Sequence, residues 1–185
     1  MALRKILTEP NKLLRTKSLV VEKVDEDIQK LMNDMLETMY AAPGIGLAAI
    51  QVGVPKRVIV LDIGWRDKLE SVNNEKQEAR KNPMYFVNPE IITKSINNST
   101  YEEGCLSVPG QFAEIERPDK CHIKYLDYYG NPKELVAEDM LATCIQHEMD
   151  HLEGVLFIDY LSKLKKSMII KKLSKHKKEI ERIVV

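Results

Sequence analysis

Long apolar runs are missing from this 185-residue chain. No stretch approaches the ~18 consecutive apolar residues of a spanning helix, so no membrane segment is expected. Met1 to Asn11 carries charges at Arg4, Lys5 and Glu9 and has no apolar stretch fit for a signal peptide. Cysteine is scarce: three residues, an odd number at irregular spacing, exclude a disulfide scaffold and argue for thiols in a reducing cytoplasm. Net charge is lacking too, with 28 basic side chains against 28 acidic ones. What is there, 44% apolar and 30% charged residues, excludes a disordered or collagen-like chain. A chain of this length removes roughly 70% of its unfolded surface from water, so one domain over residues 1–185 is expected.

The zero net charge hides an asymmetry. Residues 162–185 hold nine Lys/Arg and two Asp/Glu, a local +7, which leaves 19 basic and 26 acidic side chains, −7, in the rest. Between Asp25 and Ala42, apolar residues at Ile28, Leu31, Met32, Met35, Leu36 and Met39 follow helical spacing, and Pro43-Gly44 ends the run. Arg57 to Ile63 reads as a buried strand, and Gly64 to Pro83 loses apolar periodicity and reads as a surface excursion. From Met84 to Val136, turn residues at Asn88-Pro89, Asn97-Asn98, Pro109-Gly110, Arg117-Pro118-Asp119 and Gly130-Asn131-Pro132 divide short strands, which predicts antiparallel sheet.

Helical spacing returns from Glu138 to Leu152, with Gly154 placed to cap it. Ser162 is placed to cap a last helix whose Leu164, Met168, Ile169 and Leu173 form a narrow stripe beneath the lysines. The expected fold class is therefore α+β: mostly antiparallel short sheets around a central helix, with an amphipathic N-terminal helix and a basic C-terminal one.

The sharpest chemical signal lies on that central helix. In His147-Glu148-Met149-Asp150-His151 the two histidines stand at i and i+4, one above the other, close enough for both imidazoles to hold one metal ion. A hydrolytic metal site usually takes three protein ligands and keeps one position open. The extended pattern that supplies a third histidine fits at Gly154 and breaks at Phe157. Downstream glutamates are poorly placed, Glu153 beside the motif and Glu179 and Glu181 in the lysine-rich tail. A cysteine is the economical third ligand. Cys144, three residues before His147, can line the same face but is awkward as a ligand, and Cys121 sits in a strand pattern that reads as core. Cys105, loop-like beside Gly104, is the candidate.

Three separated segments, Gly44-Ile45-Gly46-Leu47-Ala48-Ala49-Ile50-Gln51, Glu103-Gly104-Cys105-Leu106-Ser107 and Gln146-His147-Glu148-Met149-Asp150-His151, together resemble the pattern of the peptide deformylases. These metal hydrolases remove the formyl group from the N-terminal methionine of new bacterial and organellar proteins, and the basic C-terminal helix resembles that of bacterial members. The resemblance implies that Cys105, His147 and His151 bind one divalent ion per chain. It also implies that Glu148 is the acid/base, and that Gln51 and the backbone N–H of Leu106 stabilise the oxyanion. Ile45, Gly46 and Gly104 would be backbone contacts to an extended peptide, with Cys144 and Thr143 on the wall of a methionine pocket. Thiolate and imidazole suit Zn²⁺, Fe²⁺, Co²⁺ and Ni²⁺ alike; the resemblance favours Fe²⁺ in the cell.

Glu103 and Arg117 are expected to pair in support of the Cys105 loop. Two departures stand out. Phe112 occupies a position where some members carry arginine near the substrate mouth, so contacts to the substrate's downstream residues do not carry over, and the Gly64–Pro83 excursion is longer than in compact members. The implied partners are N-formyl-methionyl peptides and nascent chains, with ribosome contact through the basic tail, where ribosomal RNA is a polyanion. Two other functions fit parts of the pattern: a metallopeptidase using Glu179 as distant ligand, and a metal-stabilised binding protein without turnover.

Overall fold

The structure is a computed structural model describing residues 2–64 and 81–183, with side chains described to Lys175. Among these, three helices and seven strands occur: α1 (Glu26–Ala41), β1 (Gly46–Ala48), β2 (Val58–Leu61), β3 (Met84–Lys94), β4 (Asn98–Cys105), β5 (Val108–Pro118), β6 (Lys120–Leu126), β7 (Pro132–Glu138), α2 (Asp139–Leu152) and α3 (Lys163–Ile183). The fold is α+β, and every strand pairing is antiparallel. One sheet runs β1-β2-β3-β6-β7, and β4-β5 forms a separate two-stranded sheet. No helix among the described residues is long and apolar enough to cross a membrane.

Helix α1 begins where Asp25 accepts a hydrogen bond from the Ile28 N–H at 3.0 Å, a cap worth about 1 kcal/mol. Its stripe of Ile28, Leu31, Met32, Met35 and Met39 is buried against Leu47, Val58, Val60 and Val87, sealing one side of the large sheet. Helix α2 packs among Ile59, Leu61, Phe86 and Ile123, so it is the central helix expected, and Cys121 is core beside it. Gly154, at φ +74°, ends α2 in the left-handed region; a Cβ there would stand 2.6 Å from the Arg15 carbonyl oxygen.

Three expectations are corrected. Asn88-Pro89 and Pro109-Gly110 lie inside β3 and β5 rather than between strands. Asn88 sits at φ 50° beside a register shift, where its side chain accepts from the Val21 N–H and donates to the Val21 carbonyl, so a turn signal has become a bulge held by a distant segment. Cys105 ends β4 instead of standing in a loop. On α3, Ile169, Ile170 and Leu173 pack with Val108, Ile115 and Phe157, whereas Leu164 and Met168 point to solvent. Ser162 does cap this helix, its Oγ accepting from the Lys165 N–H. Of the Gly64–Pro83 excursion, residues 65–80 lie outside the described residues.

Candidate active site

Three chain segments converge on one cleft. Strand β1 and the preceding turn bring Ala42 to Gly46, the β4–β5 hairpin brings Tyr101 to Leu106 and Pro109 to Phe112, and α2 brings Met140, Thr143, Cys144, His147 and Glu148. Gln51 lines it from the turn after β1. Every candidate residue named from the sequence except His151 lies on this lining, and His151 stands directly behind it, buried. Among the described residues, β1 pairs only with β2 and β4 only with β5, so each contributes an open strand edge.

At the bottom, ligand atoms of Cys105, His147 and His151 lie within 4.8 Å of one another. The Cys105 Sγ is 3.2 Å from His151 Nε2, and the two imidazole rings are 5.1 Å apart. Sulfur and two nitrogens are a donor set suited to a transition-metal cation. The protein also prepares one of these donors. His147 Nδ1 is 2.7 Å from Glu103 Oε2, and since a carboxylate only accepts, Nδ1 carries the proton and Nε2 keeps the lone pair that could bind a cation. The Nδ1 of His151 has no protein partner. The residues therefore fit a divalent ion.

Glu103 is itself fixed. Arg117 donates to it through Nε at 2.5 Å and through Nη2 at 3.0 Å, and donates through Nη1 to Asp150 at 2.8 Å. The Tyr160 hydroxyl donates to the same Asp150 oxygen, and the guanidinium lies over the Tyr160 ring. Burial works to raise the Glu103 carboxyl, but the hydrogen bonds from His147 and Arg117 outweigh it and hold the group below its ordinary range. Burial opposes a charge on His147, yet Cys105 and Glu103 hold its pKa well above the imidazole range; burial, then the charge on His147, push His151 well below it. A divalent ion held here would compete with a second proton for Nε2 of His147.

Glu148 is buried, its Oε2 has no partner, and burial pushes its carboxyl up to about 7. Its other oxygen explains Gly46: a Cβ there would come within 2.5 Å of Glu148 Oε1. The close approach that this glycine permits is used by the protein's own carboxylate, and at Gly104 by the ring of Phe112. Gln51 is buried and oriented at both ends: Oε1 accepts from the Ala48 N–H at 2.8 Å, and Nε2 donates to Ser107 Oγ at 3.0 Å and faces Cys105 Sγ at 3.5 Å. Leu106 follows Cys105 on the hairpin turn and lines the cleft.

Cys144, whose thiol burial pushes up to about 12, lines the cleft without joining the ligand group, and Thr143 stands beside it with a buried, unpartnered hydroxyl. Phe157, where another class of metal site would place a histidine, stacks on His147 with ring centroids 6.3 Å apart. Glu179 lies outside the residues whose side chains are described. Sequence reasoning missed Asp150, Tyr160 and Ser107. Asp150 was findable three residues after His147, on the same helix face; Tyr160 carried no signal.

The family model described as polypeptide deformylase matches residues 3–167. Among curated proteins, the peptide deformylase of Pelagibacter ubique is 64% identical over the full length of both chains, and that of Maricaulis maris 57% identical over 98% of each. Among solved structures, the peptide deformylase of Ehrlichia chaffeensis in complex with actinonin superposes with a TM-score of 0.85 at 44% identity, covering 95% of this chain and 98% of that one. The Legionella pneumophila enzyme gives 0.84 at 44% identity, covering 98% and 99%. Sequence model, curated relatives and fold agree with the cleft they surround: this chain belongs to the polypeptide deformylase family.

Proposed function

We propose that this protein removes the formyl group from the N-terminal formyl-methionine of newly made proteins, releasing formate, as a single catalytic domain with a basic C-terminal helix. The observation that carries the reading is the meeting of Cys105, His147 and His151 with the buried Glu148 and the oriented amide of Gln51 in one cleft. Cys105, His147 and His151 would hold the divalent ion, Fe²⁺ in the cell, and the ion when bound lowers the pKa of water and polarises the formyl carbonyl.

Glu148 takes a proton from the attacking water, whose oxygen bonds to the formyl carbon; when the C–N bond breaks, Glu148 returns that proton to the departing amine. Gln51 Nε2 and the Leu106 N–H donate to the formyl oxygen as charge develops on it, and both are neutral donors that bring no competing charge. The open edges of β1 and β4 receive the extended peptide through Ile45, Gly46 and Gly104, with Cys144 and Thr143 walling the methionine side chain. The exposed lysines of α3 favour docking on the ribosome, near emerging chains in the cytoplasm.

The test is an anaerobic assay with formyl-Met-Ala and, separately, unmodified peptides, with metal analysis of the same preparation. Formate released from the first and no cleavage of the second is expected. Cleavage of unmodified peptides without formate release would support the metallopeptidase, and tightly held metal with neither activity a binding protein.

A further inference from the structure

We propose that Ser107 is a positioning residue for the oxyanion donors: its hydroxyl fastens the Gln51 amide to the turn that carries the Leu106 N–H. The inference deepens the deformylation reading and rests on it. Cys105 pairs with Val108 across the end of the β4–β5 ladder, which leaves Leu106 and Ser107 as a two-residue turn. The ligand sulfur, the Leu106 N–H and the Ser107 hydroxyl therefore stand on three successive residues. Gln51 Nε2 donates to Ser107 Oγ at 3.0 Å, and Oε1 accepts from the Ala48 N–H at 2.8 Å. Ser107 is 0% exposed and Gln51 1%, so water does not replace either partner. Leu106 and Gln51 line the cleft while Ser107 stands behind it, so Ser107 reaches a bound peptide only through its neighbours.

A carboxamide nitrogen carries two hydrogens. One goes to Ser107, and the other is left on the Cys105 side, where Sγ lies 3.5 Å from Nε2. Without the Ser107 oxygen, the Ala48 bond alone would set the angle of the amide, and a hydrogen would be left buried without its acceptor. The main chains of both residues hang on one segment. The Leu7 N–H donates to the Gln51 carbonyl at 2.7 Å, and the Glu9 N–H donates to the Ser107 carbonyl at 2.8 Å. Glu9 is buried with Oε2 3.4 Å from Arg15 Nε, and Arg15 donates to Asp159 at 2.5 Å. With both backbones tied to the same segment, the Ser107 hydroxyl has only the amide to orient. A neutral hydroxyl does this without adding a charge that competes with the one developing on the formyl oxygen.

The test is a double-mutant cycle on the zinc-loaded protein, reading kcat and KM for formate release from formyl-Met-Ala beside metal analysis. Ser107→Ala is expected to lower kcat about tenfold, a part of the roughly hundredfold to thousandfold that one oxyanion donor supplies, with KM within about twofold and the metal retained. In a Gln51→Ala background the same change should lower kcat less than about twofold, because the group it positions is gone. A second readout does not depend on turnover: in ¹⁵N-labelled zinc-loaded protein, the Gln51 side-chain N–H signal should move upfield in Ser107→Ala while the backbone signals of α2 stay in place. Equal losses in both backgrounds, a loss carried by KM or by metal content, or an unmoved Gln51 signal would overturn the proposal. Full activity of Ser107→Ala would do the same. Those results sink only the role of Ser107; wild-type protein that releases no formate sinks the deformylation reading itself.

Discussion

Arg117 and Lys172 carry the same formal charge and sit in opposite circumstances. Arg117 is 4% exposed, bonded to Glu103 and Asp150 and stacked on Tyr160, and through Glu103 it fixes the proton of His147. Lys172 stands on the open face of α3 with Lys163, Lys165 and Lys171, all exposed. In the interior a charge is costly to leave unpaired, so its partners hold it in one place, and a ligand can be aimed by it. On the helix face, water and salt screen each lysine, and only the summed field acts at a distance. The difference teaches where charge determines geometry in this molecule and where it acts only as a summed field.

The comparison can be broken most severely at the centre. Glu148→Ala should retain the metal and lose roughly a hundredfold to ten-thousandfold in kcat, read by formate release beside metal analysis. Near-normal turnover would remove the acid/base role. Cutting the interior network one residue further out, Arg117→Met leaves Glu103 and Asp150 facing each other without their cation and should cost about 3–5 kcal/mol. At this chain length that is a fall in Tm of about 10 °C, measurable by calorimetry.

A milder case is the acid limb of stability. Asp34 accepts hydrogen bonds from the Ala2 N–H and from Arg4. The Ala2 bond chiefly, with Arg4 and against the opposing effect of burial, holds its carboxyl below the ordinary range. A depressed folded-state value means that the contribution is fully present above the unfolded range, near pH 4, and is lost as pH falls through the folded value. Denaturant unfolding from pH 6 to pH 2 should show this loss in the wild type and a flatter profile in Asp34→Asn. The smallest effect belongs to the helix: replacing Lys163, Lys165, Lys171 and Lys172 by glutamine should change stability by no more than about 0.5 kcal/mol at each site. The same change should weaken salt-dependent binding to ribosomes in sedimentation assays. Deleting residues 165–185 is a poorer test, because it removes Leu173 from the core and the Lys166–Asp159 ion pair.

What could be read from the sequence was local. The spacing of His147 and His151 needs only helical periodicity, the α1 stripe likewise, and Cys105 followed from the lack of a better third ligand. The Glu103–Arg117 pair was anticipated and lies between facing strands of one hairpin. What escaped depends on distant partners. Asn88 reads as a turn until Val21, 67 residues away, supplies the backbone that its amide pairs with. The buried edge of α3 is chosen by Phe157, Val108 and Ile115, surfaces that no periodicity within the helix records. Tyr160 joins the site only because the 3-10 turn Phe157–Tyr160 returns past the end of α2.

The most direct test is X-ray absorption on the zinc-loaded protein, which reports the atoms around the ion. One sulfur at about 2.3 Å with nitrogen or oxygen neighbours at about 2.0–2.1 Å is expected, the sulfur vanishing in Cys105→Ala and persisting in Cys144→Ala. A first shell without sulfur in the wild type, or a sulfur that survives the loss of Cys105, would contradict the ligand set on which the proposed chemistry depends.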